Sequence, residues 1–223
     1  MAIKSPSSRI APVGPMYRIT MQSGSLTAVS GYNTGTLGSA VFSMQWANPY
    51  AFMHITHVNV QWSLDTTFTT QQALPFGLFK VYSYTVAPTG GTAATLTAAT
   101  STTAVVNMAL DQKQNNYGSA FGDSYFVTAG DIRMATTGAL TAGTGSIDKY
   151  PLSLWGIGSQ GNLAGNGAVY NNPIDFGRAP NTTSLAVGYQ EGITIQPLAT
   201  MGAAGKINLW VSVEWIEVPN SLR

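Results

Sequence analysis

The sequence predicts an all-β protein, an antiparallel β-sandwich of jelly-roll type with an extended N-terminal arm, and three observations carry that expectation. Apolar and polar residues alternate with a period of two in several runs, the signature of a strand buried on one face. No segment shows a capped helical stripe. Turn residues separate the runs throughout, with 24 glycines and 11 prolines in 223 residues, the pattern of many short strands joined by tight connections.

Each element follows in chain order. Residues 1–16 carry Pro6, Pro12 and Pro15 and read as an extended arm, because proline cannot donate to a sheet ladder. Residues 17–223 read as a single sandwich domain. Tyr17 to Met21 and Ala40 to Trp46 are the first strand candidates. In His54 to Leu64, Val58, Val60, Trp62 and Leu64 share one side, while His57, Asn59, Gln61 and Ser63 share the other. Leu78 to Val86 follows as a strand. Residues 87–104 are low in complexity and read as a long loop or flat hairpin. Ala104 to Ala109, Tyr125 to Val127, Ile132 to Ala135, Leu185 to Tyr189 and Ile193 to Pro197 complete the shorter strands, and Asp111 to Tyr117 offers at most one helical turn. The last run is the clearest. Ile207, Leu209, Val211, Val213 and Trp215 fall on one face, with Asn208, Ser212 and Glu214 on the other. Trp210 and Ile216 interrupt that polar face, which implies that it too is partly covered.

Between these strands lies Leu154 to Pro173, in which Gly156, Gly158 and Gly161 match G-x-G-x-x-G. A dinucleotide fingerprint needs a buried strand before it and a helix opening over the last glycine. Here Pro151 weakens the strand, and Asn162 to Gly167 is turn chemistry that breaks a helix. The stretch therefore reads as an ordered, helix-free surface loop. Leu163, Val169 and Tyr170 would anchor it on another subunit or ligand, since a long structureless loop in a compact domain is usually functional.

Charge narrows the function classes. Charged residues are 9% of the chain and the net charge is +1, against roughly 25% charged in an average soluble domain. So little charge gives a free monomer weak protection against self-association, which favours a subunit resting against copies of itself. The ten Lys and Arg are scattered, with no basic stripe for phosphates, so no direct nucleic-acid partner is expected. There is no cysteine, hence no disulfide framework or thiolate metal site. No apolar h-region opens the chain and no apolar run is long enough for a membrane span.

Chemistry is equally sparse. His54 and His57 stand three apart, an odd spacing that on a regular strand puts His54 on the apolar face and His57 on the polar one. They do not form a ligand pair. No G-x-S-x-G elbow is present, and the nine carboxylates are dispersed. Glu214 and Glu217 have odd spacing and face opposite ways. Asp111, Asp123 and Asp131 sit near turns. The expectation is no enzyme and no cofactor. Tyr82, Tyr84, Trp155 and Tyr170, in neutral surroundings, suit a packed sheet face, a protein interface or a sugar-binding surface, in that order.

The C-terminal run from Tyr189 to Val218, with Glu191-Gly192, a strand, a small-residue turn and a final V-x-V-E-W, resembles the C-terminal end of small β-rich virion proteins of tailed bacteriophages. The resemblance implies a structural role in the particle: capsid decoration or cement, a shell subunit or head-fibre attachment, with no catalytic residues. The expected partners are copies of the chain itself, as a trimer or larger ring, and other capsid proteins. Contact residues would be Arg9 and Ile10 of the arm, Leu163, Val169 and Tyr170, and Trp210 and Ile216. The alternative is a receptor- or glycan-binding module of a tail or fibre.

Overall fold

Alternation becomes geometry most plainly at the C-terminus, where Ile207, Leu209, Val211, Val213 and Trp215 are all buried in a single strand. The computed structural model describes residues 16–27, 40–68, 73–94, 106–107, 131–140, 145–147, 152–158, 170–175, 185–202 and 204–219. Their strands are β1 (Met16–Thr27), β2 (Phe42–Gln45), β3 (Ala51–Thr66), β4 (Ala73–Tyr84), β5 (Thr92–Ala94), β6 (Val106–Asn107), β7 (Ile132–Met134), β8 (Gly145–Ile147), β9 (Ser153–Gly158), β10 (Tyr170–Asp175), β11 (Leu185–Val187), β12 (Gly192–Pro197) and β13 (Lys206–Pro219). No helix occurs among the described residues.

The strands form two antiparallel sheets. The first runs β10-β3-β13-β1-β6, with β11 also on β3; the second runs β5-β7-β2-β12-β4-β8, with β9 also on β4. Tyr17, Ile19, Val58, Val60, Val211 and Val213 of the first sheet join Phe42, Met44, Phe76, Leu78, Ile193 and Ile195 of the second in one continuous core. Each such side chain, fully buried, contributes roughly 1.5–3 kcal/mol, so the inward faces hold the sheets together.

Two irregularities set which residues face inward. In β1 the register against β13 shifts between Gln22 and Ser25. Gly24 lies there at φ +71°, a conformation other residues adopt with strain. Ser23 Oγ accepts the Leu209 N–H at 3.0 Å and donates to the Gly24 carbonyl at 2.6 Å. The shift rephases the strand, so Leu26 is buried although it differs in parity from Tyr17 and Ile19.

In β3 the buried positions run Ala51, Met53, Ile55 and then Val58, Val60, Trp62. The phase changes at Thr56, where the register against β13 shifts between Glu214 and Trp215. A bulge inserts one residue and turns every side chain beyond it to the other face. This corrects the placement of His54. It stands between buried Met53 and Ile55 and so faces outward, on the side of His57. Period-two counting across the bulge put it on the apolar face.

The second correction concerns Leu154 to Pro173. It is not a loop throughout, because β9 and β10 occupy its two ends. Gly156 and Gly158 are strand residues opposite Pro75 and Ala73, and Pro173 sits in β10, at the end of the strand order, where a missing N–H is tolerated. Glycine and proline hid these strands, as Pro75 and Gly77 hid the first half of β4. The two ends lie in different sheets, so residues 159–169 connect one sheet to the other. Within residues 87–104, Thr92–Ala94 pairs with β7. Residues 1–15, 111–117, 125–127 and 159–169 lie outside the described residues, and with them the expected arm.

The sheets differ in what covers their outward faces. In the second, Ser43, Thr194 and Phe79 form one cross-strand row, and all three are buried, as is Gln196. Thr194 Oγ1 donates to the Phe42 carbonyl at 3.0 Å. Ser43 Oγ and the Tyr84 hydroxyl share a hydrogen bond of 2.9 Å. Burial raises the Tyr84 phenol above its ordinary range despite the opposing effect of Ser43. The first sheet instead keeps most of its outward face half-buried to exposed, with Ser212 and Glu214 buried among those residues.

The register of β12 yields a direct test. A Cβ on Gly192 would overlap the Met44 carbonyl oxygen and press on the Tyr84 ring. Gly192→Ala should therefore cost roughly 1–3 kcal/mol, as overpacking does, and lower the thermal midpoint by about 2–4 °C per kcal/mol. An unchanged midpoint in a melting experiment would contradict the β2–β12–β4 packing.

Candidate interface on the outward face of the first sheet

Because residues opposite each other on paired strands share a face, the registers of β1, β13, β3 and the edge strands lay out the outward surface in rows. Ile216 pairs with His54, and His54 with Ala186. The next row is Arg18, Glu214, His57 and Asp175; then Thr20, Ser212, Asn59 and Pro173; then Gln22, Trp210, Gln61 and Asn171. One charged row thus stands beside rows of hydroxyls and amides, with Trp210 among glutamines.

Ser212 ties the central rows together. Its Oγ accepts from Arg18 Nε at 3.0 Å, shares a hydrogen bond with Thr20 Oγ1 at 2.8 Å and lies 3.4 Å from the Ile19 carbonyl. Arg18 Nε is also 3.8 Å from Glu214 Oε1, with side-chain exposures of 41% and 5% respectively. The half-exposed guanidinium keeps most of its hydration, so the ion pair adds little stability; its main effect is to give the nearly buried Glu214 a cation. Beside them Asn59 Oδ1 is a buried acceptor with no hydrogen-bond partner among the described residues.

Of the residues expected to form contacts, Trp210 and Ile216 lie half-buried on this face. Tyr170 is the first residue of β10, an edge strand of the same sheet, opposite the core residue Trp62, so its register does not place it on this face. Leu163, Val169, Arg9 and Ile10 lie outside the described residues. The Arg18–Ser212–Thr20 cluster was missed in the sequence. Its members are up to 194 residues apart, and nothing local marks them beyond polar parity on two strands.

The aromatic residues singled out from composition do not form one surface. The register of β4 against β8 shifts between Val81 and Ser83, which separates Tyr82 from Tyr84. Tyr84 is buried, whereas Tyr82 is 49% exposed, its ring 5.1 Å from Lys80 Nζ. Trp155 belongs to β9, opposite Phe76. A smaller exposed group occurs where the sandwich ends, at Tyr50 and Tyr189. Their turns are joined by the Gln190 N–H to Trp46 carbonyl and Trp46 N–H to Glu191 carbonyl bonds, both 2.8 Å. Lys80 braces the same end, bonded to Glu191 at 3.0 Å and to the Ala186 carbonyl at 3.0 Å.

Compared with known protein families and with curated proteins, the chain matches none. Among the described residues no three His, Cys, Asp or Glu side chains converge as metal ligands, and no helix is long and apolar enough to cross a membrane. The outward face therefore has to be read from its own chemistry. Its described residues offer donors and acceptors in fixed rows with little net charge and the aromatic rings of Trp210 and Phe52, a composition suited to contact with another protein surface.

Removing the Ser212 hydroxyl tests this cluster. Ser212→Ala should cost about 1–2 kcal/mol, the range for a broken, partly charged hydrogen bond, measured by denaturant unfolding. Ser212→Thr, which restores the hydroxyl, should recover most of it.

Proposed function

We propose that the chain is a non-enzymatic structural subunit of a bacteriophage virion, a jelly-roll sandwich that stabilises the capsid as a shell subunit or as decoration and cement. The observation that carries this reading is the strand order. Setting aside β5, β6 and β7, the first sheet reads β1-β13-β3-β10/β11 and the second β2-β12-β4-β8/β9. From β1 to β4 and from β9 to β13 the chain crosses repeatedly between the sheets, while β4, β8 and β9 share the second, and β1 and β13 pair side by side. This strand order supports a jelly-roll reading, and jelly rolls are frequent in viral capsid and lectin domains.

Fold alone does not fix function, and two further features support the virion reading. The chain has few charges for its length, as expected where much surface rests on neighbours. The outward face of the first sheet presents the half-buried Trp210 and Ile216 among neutral polar rows, while the second sheet's face is already covered. The mechanism is mechanical: many copies, forming a trimer or larger ring, bury this face against each other and against other capsid proteins. Repetition makes modest individual contacts sufficient. Arg9 and Ile10 of the arm, and Leu163 and Val169 of the inter-sheet connection, are assigned to the same contacts. The reading includes no cofactor, no nucleic acid and no membrane, and its place is the virion.

A glycan- or receptor-binding module of a tail or fibre is the second reading. It is favoured by Tyr50 and Tyr189, 80% and 54% exposed on two hydrogen-bonded turns, since rigid exposed tyrosines serve such recognition.

The two separate on one measurement. Light scattering of the purified protein should show a trimer or larger ring, and Trp210→Gln with Ile216→Thr should shift it toward monomer while the melting transition moves little. A wild-type chain that stays monomeric at high concentration would defeat the structural-subunit reading.

A further inference from the structure

The parity that places Ile207 to Trp215 in the core continues one step further, to Glu217. Its residue exposure is 1%, its register partner is Met53 of β3, and its Oε2 has no hydrogen-bond partner among the described residues. An ionised carboxylate so placed would lose its hydration, at a cost of several kcal/mol for a real protein site. The group avoids this by staying protonated: burial pushes its pKa from the ordinary 4.5 up to about 9, and the Trp215 indole opposes the shift only in part.

The surroundings give it no counter-charge among the described residues. On β1, Tyr17 stands inward against the Trp215 ring at 5.7 Å, while Arg18 faces outward with Glu214. On β3, His54 and His57 face outward. Across the core, Lys80 is engaged by Glu191, and Tyr84 by Ser43.

The position matters as much as the burial. The pairing of β1 with β13 begins at Met16 opposite Ile216, so Glu217 lies one residue beyond the last rung that joins the chain's first and last strands. The same end is closed by the Trp46 indole N–H, which donates to the Ala51 carbonyl at 2.8 Å. Strand ends open more easily than strand centres.

We propose that Glu217 is an alkaline-sensitive latch: as the neutral acid it lets the β1–β13–β3 end close dry, and as the carboxylate it draws in water and opens that end. The linkage has a definite sign. The native state holds a proton that the unfolded chain releases near pH 4.5, so the stabilisation is complete below that pH. It declines as pH rises and is lost through about pH 9, because the unfolded state binds fewer protons across this window.

Hydrogen exchange on the full chain, corrected for intrinsic rates, tests the latch at pH 6 to 10. Protection of Tyr17–Ile19 and Trp215–Val218 should fall by about tenfold per pH unit from pH 6 up to about pH 9 and level off beyond it, as required when the closed end holds one proton that the open end releases. Protection at Val58–Val60 should stay level over the same interval. In Glu217→Gln the end should remain protected throughout, and the variant should be the more stable protein at pH 8. Loss of protection that is equal in both proteins, or absent in the wild type, would overturn the proposal. Should the variant fail to fold, the carboxyl carbon shift of Glu217 in the wild type decides. A midpoint near 9, with end protection falling on the approach to it, supports the latch, and a midpoint in the ordinary carboxylate range overturns it.

Discussion

The sandwich depends on one pairing: β13, the last described strand, inserted between β1 and β3. From Met16 opposite Ile216 to Thr27 opposite Lys206, the first strand is zipped along the last, and β3 flanks the other side over the same length. Neither β1 nor β3 has its inward face completed without the alternating row Ile207 to Trp215 between them. The contact joins segments about as far apart in sequence as the chain allows, so its closure entropy has to be met before it contributes.

Placement of two bulges then decides what that centre presents to solvent. The Thr56 bulge turns His54 outward and brings His57 opposite Glu214. The irregularity at Gly24 keeps Leu26 in the core after an odd number of residues. Between Met16 and Gln22 the β1–β13 register runs without a break, and there Ser212 reaches Arg18 and Thr20 together. Bulges of this kind leave the core intact while re-aiming the opposite face. A face with fixed donors and acceptors gains specificity from geometry rather than from charge.

How much of this was legible follows from the same physics. The long strands were readable, because Val58 to Trp62 and Ile207 to Trp215 obey a strict period of two. The position of His54 was not, since a bulge is a property of two strands and local periodicity sees only one. Pro75, Gly77, Gly156 and Gly158 concealed β9 and half of β4; each is disfavoured in a strand alone and is accepted because it pairs with the other's segment. Trp210 and Ile216 could be singled out as breaks in a polar face, whereas Ser212 could not, because its partners lie on another strand at the far end of the chain.

Glu214 and Glu217 show how far parity alone determines chemistry. They are separated by two residues on one strand and have nearly the same burial. Glu214 faces outward, where Arg18 stands 3.8 Å away with its guanidinium partly hydrated. Glu217 faces inward, where its neighbours are Trp215 and Met53 and burial holds the acid neutral. A hydrocarbon side chain at 217 would satisfy the core more simply, since a buried polar group without full pairing is a liability. Its presence at the last inward position, beside the rung where the first strand begins, gives one end of the sandwich a lower threshold for opening than its hydrophobic centre. Such an end can yield while the central β1–β13–β3 ladder stays closed.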